Sequence, residues 1–103
     1  MRSEGIDLED LCDQAQQAAE KALKAVYLAK GGRFPFSHNL DLLLQGLEDM
    51  GLEIPEAVDT ASRLTRYAVE TRYPGFFDPV TIPEYQEALE MGEVILAWAR
   101  TWI

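Results

Sequence analysis

The feature that most constrains the fold is a long amphipathic segment near the start of the chain, in which alanine recurs at helical spacing. Asp7 is placed to cap this segment and Gly31 to end it, which predicts a helix of about 23 residues, ~35 Å long at 1.5 Å per residue. Small alanine side chains let a second helix approach closely, near the lower end of the 8–10 Å range of interaxial distances. The apolar face of this helix consists of Leu8, Leu11, Cys12, Ala15, Ala18, Ala19, Ala22, Val26 and Ala29.

Two further helices are predicted in the middle of the chain. One runs from Ser37 or His38 to Met50, before Gly51. The next begins near Pro55 and ends at Tyr73, because Pro74 and Gly75 cannot continue a helix. An ordered loop is expected from there to Val80. The inward-facing residues are Leu40, Leu43, Leu44 and Leu47 in the first of these helices, and Val58, Ala61, Leu64, Thr65, Ala68 and Val69 in the second.

A fourth helix opens with the capping box Thr81-x-x-Glu84. Met91, Val94 and Trp98 form a second apolar stripe on it, beside the stripe that faces the core. A helix that is apolar on two adjacent faces usually contacts two partners. These three residues are therefore predicted to form a homodimer interface, which should bury more than about 1,200 Å² in total. The core-facing residues are Tyr85, Ala88, Leu89, Ile95, Leu96, Ala99 and Trp102.

Together these elements predict an all-α fold, an antiparallel up-down four-helix bundle in a single domain that spans residues 1–103. No apolar run approaches the roughly 18 residues that a membrane span needs, and Met1 to Leu11 is too acidic for a secretory signal. The single cysteine, Cys12, lies on the apolar stripe and is expected to be a small buried hydrophobe. We expect a cytoplasmic protein with no membrane partner.

The charge of the chain argues against generic nucleic-acid binding, since a formal net charge of −9 repels phosphate backbones. The basic residues are unevenly placed, however, and Arg33, Arg63, Arg66 and Arg72 fall at or near junctions between helices. Such a local arginine cluster can bind one phosphate or a short RNA. The alternative is that these arginines pair with the plentiful carboxylates.

Arg33 and His38 are the first candidate site residues, five positions apart and just before the second helix. Histidine exchanges protons near neutral pH, and the guanidinium group of arginine matches phosphate oxygens. This pair is therefore a candidate for phosphate binding and proton transfer, and the family resemblance described below implies that it is catalytic. The alternative is that His38 caps the second helix and Arg33 pairs with a carboxylate.

A second candidate site lies around the end of the third helix, where Arg66, Arg72 and Tyr73 are predicted to bind a nucleotide or phosphate. The alternative is that Tyr73 packs on the following loop while the arginines close the helix end.

The series Glu84, Glu87, Glu90 and Glu93 has a spacing that can hold a divalent cation, but it is better explained as a solvated face. No metal site is therefore expected. We also find no motif for a cofactor.

Three stretches, taken in their order along the chain, together resemble the HEPN domain, a small helical family named for nucleotide binding. They are the alanine-rich run Gln16 to Val26, the run Arg33 to Leu40, and the run Leu64 to Gly75. HEPN ribonucleases carry an arginine and a histidine separated by four to six residues, although that motif usually lies nearer the C-terminus. The resemblance implies metal-independent RNA cleavage, in which Arg33 holds the phosphate and His38 moves a proton.

The resemblance also implies partners. Many relatives pair with a minimal nucleotidyltransferase in a toxin–antitoxin-like module, so the chain is expected to be a dimeric, nucleotide- or RNA-associated partner of such a protein. An active endoribonuclease and a structural helical dimer without catalysis are the two alternatives. Relatives commonly carry another helix before the alanine-rich one, and only six residues precede Asp7 here. The surface under that helix is expected to be covered in another way.

Overall fold

The computed structural model describes residues 8–67 and 80–103. Helix α1 spans Leu8–Ala29, α2 spans Leu40–Asp49, α3 spans Glu56–Ala61 and α4 spans Ile82–Arg100. A 3₁₀ segment, Ser62–Tyr67, follows α3 directly. Every regular element in the described ranges is helical, which confirms the all-α class. None of the described helices is both long enough and apolar enough to cross a membrane.

Helix α1 forms where the sequence predicts it, with 22 residues, while the predicted cap at Asp7 lies outside the described residues. Acidic Glu9 and Asp10 lie in its first turn, where they favour the positive end of the helix dipole. Its end is set by Gly31, whose φ of 79° is accessible to glycine at little cost. The amide of Gly32 then donates to the carbonyl of Tyr27 at 2.9 Å, which closes the last turn.

Helix α2 begins later than predicted, at Leu40 rather than at Ser37 or His38. Asn39 is the cap: its side-chain oxygen accepts a hydrogen bond of 2.9 Å from the amide of Asp41. The alternative role of His38 as the helix cap is therefore wrong, because a short amide side chain one residue later satisfies the first turn.

The third predicted helix does not continue as an α-helix beyond Ala61. The hydroxyl of Ser62 lies within hydrogen-bond distance of the carbonyl of Asp59, at 2.6 Å, and of the carboxylate of Asp41. Serine hydroxyls that bond to nearby carbonyls compete with regular helix geometry, and here the chain tightens into the 3₁₀ segment. The predicted end of this helix at Tyr73, and the loop up to residue 79, lie outside the described residues.

The helices do not alternate in direction as the antiparallel up-down prediction requires. Near the start of α2, the side chain of Gln16 reaches the carbonyl of His38 at 2.8 Å, and further along Tyr27 reaches the carbonyl of Leu43 at 2.7 Å. Contacts that advance together along both helices mean that α2 runs parallel to α1. The reason is the connection between them, residues 30–39, which folds back along α1 before α2 begins.

Helix α4 also runs in the same direction as α1. The amide of Val80 donates to the carboxylate of Glu9 at 2.7 Å, so both helices start at one end of the molecule. At the other end, the ammonium group of Lys30 lies 4.6 Å from the ring centre of Trp102. Only α3 and the 3₁₀ segment run the opposite way, which places residue 65 of that segment beside residue 40 of α2.

The core lies between α1 and the other helices, and Cys12 is fully buried in it, as expected. Two details of the predicted stripes are wrong. Ala18 and Ala29 are exposed, whereas Leu23, absent from the predicted face of α1, is completely buried. On α4, Leu89 is exposed and Gly92 takes its place in the interface with α1. The most deeply buried large side chains are Leu23, Leu40, Leu43, Leu47, Leu64 and Ile95.

Candidate functional site

The basic residues of this acidic chain are concentrated in one stretch. Residues 21–40 contain Lys21, Lys24, Lys30 and Arg33 but no aspartate or glutamate. This basic segment comprises the second half of α1 and the connection to α2, which lies along α1 in the structure. A chain with a net charge of −9 therefore carries a run of four cationic side chains along α1 and its neighbouring connection, one of which, Lys24, is paired with the carboxylate of Glu20.

At the edge of the basic segment, the carboxylate of Glu20 lies between two nitrogen groups. The Nδ1 atom of His38 is 2.9 Å and 3.0 Å from its two oxygens, and the Nζ atom of Lys24 is 2.8 Å from Oε2. Glu20 is only 7% exposed. Burial raises the pKa of Glu20, but the hydrogen bonds and charges of Lys24 and His38 outweigh burial and hold that pKa below its ordinary value.

Gln16 fixes the same histidine from a second direction. Its side chain is 1% exposed, and its Nε2 atom donates to the backbone carbonyl of His38 at 2.8 Å. His38 is thus held at its backbone by Gln16 and at its ring by Glu20, while about half of its side chain is exposed. A carboxylate at Nδ1 favours the proton on that nitrogen in the neutral ring, which makes Nε2 the proton-accepting nitrogen of that tautomer.

The 3₁₀ segment meets this site at the start of α2. The hydroxyl of Thr65 accepts a hydrogen bond of 2.8 Å from the amide of Leu40. This contact places the backbone of Arg66 next to the first turn of α2. That turn begins at Leu40, two residues after His38. The side chain of Arg66 lies outside the described atoms, and Arg72 and Tyr73 lie outside the described residues, so the predicted phosphate site at these three positions stays a prediction.

Arg33 lies exposed in the connection, and no carboxylate among the described residues pairs with it. The next residue, Phe34, has its ring 5.2 Å from the ammonium group of Lys24. His38 meets Glu20 one helical turn earlier on α1. Arg33 and His38 therefore belong to one extended connection but lie at successive levels along α1, and the predicted catalytic pairing stays a prediction.

The three residues predicted for a dimer interface are partly buried on α4. Met91 and Val94 line a groove between α3 and α4. Trp98 makes an edge-to-face contact with Trp102, with ring centres 6.2 Å apart. Their role between two copies of the chain stays a prediction.

The acidic series on α4 divides between two structural settings. Glu84 completes the capping box with Thr81, as the sequence predicted. Glu87, Glu90 and Glu93 are exposed to solvent. Within residues 8–67 and 80–103, no group of three acidic, histidine or cysteine side chains is placed to hold a metal ion.

Sequence reasoning missed the three α1 residues that organise the site: Gln16, Glu20 and Lys24. Their spacing of four residues places them on one side of the helix, beside buried Ala19 and Leu23. That spacing, together with the absence of any carboxylate between residues 20 and 41, was available in the sequence. This pattern indicates a row of polar side chains on α1 at the edge of the core, which the basic connection between α1 and α2 could contact.

A family model for the HEPN domain matches residues 2–102 of this chain, which is nearly its whole length. The chain belongs to the HEPN domain family. No curated protein and no solved structure shows significant similarity to it.

Proposed function

We propose that this chain is a dimeric HEPN subunit that associates with RNA or nucleotides and works with a minimal nucleotidyltransferase in a toxin–antitoxin-like module. Membership of the HEPN family supports an RNA-related role. The observation that carries the proposal is the basic segment, residues 21–40, in a chain of net charge −9. Of its four cationic side chains, Lys24 is paired with Glu20, while Lys21, Lys30 and Arg33 have no carboxylate partner among the described residues. Phosphate groups are the ligands that such a region attracts.

The binding part of the proposal is tested by titrating short single-stranded RNA and nucleotides into the protein at low and at moderate salt. Affinity should fall as salt rises, because each neutralised phosphate releases counterions. Arg33→Ala should weaken RNA binding. It should also reduce the slope of log affinity against log salt concentration by the contribution of about one phosphate contact. Arg63→Ala is the comparison variant: Arg63 belongs to the arginine cluster of the sequence analysis, but it lines the groove between α3 and α4 and lies outside the basic segment, so its loss should weaken binding less. Equal losses in both variants, or no binding at low salt, contradict the proposal.

The proposed homodimer uses the second stripe of α4, in which Met91, Val94 and Trp98 remain partly exposed after the core has formed. Sedimentation at micromolar concentration should give a species of twice the 11.6 kDa mass of the chain. A single species at 11.6 kDa would count against dimerisation.

The proposed partner protein is tested by co-purification. A minimal nucleotidyltransferase encoded beside this chain should remain bound to the chain through size-exclusion chromatography when the two are produced together. Separate elution of the two proteins at micromolar concentration contradicts this pairing.

A second candidate function, metal-independent endoribonuclease activity, is favoured by one specific observation: the imidazole of His38 is held by the buried carboxylate of Glu20. In this reaction, Nε2 of His38 takes the proton of an RNA 2′-hydroxyl. The 2′-oxygen then bonds to the adjacent phosphorus as the bond to the 5′-oxygen breaks. The leaving oxygen takes a proton from a water molecule, which the imidazolium of His38 then reprotonates. Arg33 would hold the phosphate, and Glu20 would stabilise the charged imidazolium.

The nuclease alternative is tested by incubating RNA with the protein in EDTA. Cleavage should persist without metal, should disappear in His38→Ala, and should leave RNA binding in that variant mostly intact, because histidine supplies proton transfer rather than charge. The matched control is Asn39→Ser, which changes the neighbouring cap to another good cap residue and should leave cleavage unchanged. RNA binding without cleavage supports the first proposal alone, and absence of both supports the structural-dimer alternative.

A further inference from the structure

The groove between α3 and α4 combines an apolar floor with an acidic rim. Its floor includes Ala57 and Ala61 from α3 and Met91 and Val94 from α4. Alanines four residues apart leave a shallow notch on α3, while the methionine offers a flexible, polarisable wall. The groove has a volume of about 480 Å³. Space of this size and shape accommodates the side chains along one face of a short helix.

The rim of the groove has a clear excess of negative charge. Glu56, Glu87 and Glu90 contribute three carboxylates, against the single guanidinium group of Arg63. All four side chains are exposed. Glu87 and the floor residue Val94 are seven residues apart on α4, or about two helical turns, with Glu90 between them. A ligand that lies along this groove therefore meets apolar groups at its centre and carboxylates along its edge.

We propose that this groove binds a cationic amphipathic helix of a partner protein, with apolar anchors at positions i, i+3 or i+4, and i+7 and with lysine or arginine beside them. This helix would belong to the partner protein of the proposed function, and the inference rests on the proposed function for the existence of that partner. A second copy of this chain fits the rim poorly, because it brings a further net charge of −9 to a surface that is already acidic. Met91 and Val94 belong both to this groove and to the proposed homodimer stripe, so the partner helix and a second copy compete for them, with the second copy as the weaker ligand. Trp98 lies outside the groove lining and is left to the homodimer contact alone.

The test uses a synthetic helical peptide with leucine at the anchor positions and lysine at the flanking ones, titrated into the full chain and followed by fluorescence anisotropy. The lysine peptide should bind with an affinity that decreases as salt increases, whereas the same peptide with glutamate in place of lysine should bind at least about tenfold more weakly. The double variant Glu87→Lys, Glu90→Lys should reverse this preference. Glu93→Lys is the control: it makes the charge change of one of these two substitutions on an exposed residue of α4 outside the groove and should bind like the unaltered chain.

A second variant tests the floor separately from the rim. Ala57→Arg fills the notch from an exposed position of α3, so it should abolish binding without unfolding the protein, while Gln86→Arg adds the same charge to an exposed position outside the groove. The proposal is overturned if the lysine peptide does not bind at millimolar concentration, if Glu93→Lys changes affinity as much as the double variant, or if Ala57→Arg disrupts only the homodimer. The RNA assays have separate readouts, so failure here leaves the RNA-binding proposal to its own test.

Discussion

The hydroxyl group of Tyr27 occupies the space in which a side chain at Gly46 would begin. A Cβ atom built on Gly46 would overlap that hydroxyl oxygen and lie 3.1 Å from Cζ of the ring. The hydroxyl donates a hydrogen bond of 2.7 Å to the carbonyl of Leu43, one turn earlier on α2. Burial, followed by the negative charge of Asp49, raises the pKa of Tyr27, so the ring stays neutral and keeps its proton for this bond. Glycine at position 46 therefore sets the close approach of α1 and α2.

This relationship predicts that Gly46→Ala destabilises the protein, by about 1–3 kcal/mol, because overpacking outweighs the better helix propensity of alanine. The cost should be smaller when Tyr27→Phe is also present, since removal of the hydroxyl relieves the worst overlap. Urea unfolding of the two single variants and the double variant measures the coupling. Gln45→Ala, at the exposed neighbouring position, should change stability by less than about 0.5 kcal/mol. Additive effects of the two substitutions would contradict the proposed overlap.

The same substitution at Gly92 should have the opposite sign. A Cβ atom at this buried position of α4 would meet the Cβ atom of Ala15 and a methyl group of Leu64 at 3.7 Å and 3.8 Å, which are ordinary van der Waals distances. Gly92→Ala should therefore raise the free energy of unfolding by about 0.5–1 kcal/mol through helix propensity. Gly92→Leu does not fit the space and should lower it. Thermal unfolding of both variants checks this, and a destabilising alanine would show that α1 and α4 pack more tightly here than these distances indicate.

Much of the helical content could be predicted from local sequence, because the determinants are local. Gly31 ends α1, and the Thr81 and Glu84 side chains cap α4 in the predicted manner. The start of α2 was misplaced because Ser37, His38 and Asn39 can all cap a helix, and only the contact of Asn39 with Asp41 distinguishes them. The 3₁₀ segment was missed because it depends in part on a contact between Ser62 and Asp41, which are distant in sequence.

The helix directions and the site could not be derived in the same way. A connection of ten residues is long enough either to reverse the chain at once, which makes α2 antiparallel to α1, or to run back along α1 first, which makes α2 parallel to it. The hydrophobic periodicity of the helices does not distinguish these two paths. The observed path is fixed by Gln16 and Glu20, which bind the backbone and the ring of His38. These polar residues lie at the edge of the buried face of α1. The sequence pattern defines that face by its apolar residues alone, so it leaves these two out. The prediction identified His38 but not the groups that hold it.

The homodimer proposal makes a specific prediction about Trp98, which is partly buried and contacts Trp102. Trp98→Ala should weaken association by about 2 kcal/mol or more, the scale of an aromatic hot spot. Sedimentation equilibrium of the variant and the unaltered chain measures this difference. Leu89→Ala is the control, because Leu89 is an exposed apolar residue of the same helix. If Trp98→Ala lowers only the folding stability, by about 3–5 kcal/mol, then the tryptophan acts within one chain and not between two.

Glu20 should make the stability of the protein depend on pH in the acidic range. Its pKa in the folded state is below the ordinary value of 4.5, so the folded protein holds this proton less tightly than the unfolded chain does. The stabilisation from Glu20 is therefore fully present above pH 4.5 and is lost as the pH falls through the folded-state pKa. Glu20→Gln should destabilise the protein at pH 7, by about 1–3 kcal/mol, since Lys24 and His38 lose a charged partner.

The same variant should approach the unaltered chain as the pH falls through the folded-state pKa of Glu20, because its carboxyl then becomes neutral too. Urea unfolding at several values between pH 3 and pH 7 measures both curves, and Glu93→Gln on the exposed face of α4 is the control that should follow the unaltered chain throughout. A pH-independent loss in Glu20→Gln would mean that the glutamate contributes packing and not charge. If the nuclease alternative is correct, Glu20→Gln should also lower the cleavage rate while RNA binding is retained, because a neutral amide holds the ring of His38 less firmly and does not stabilise its protonated form.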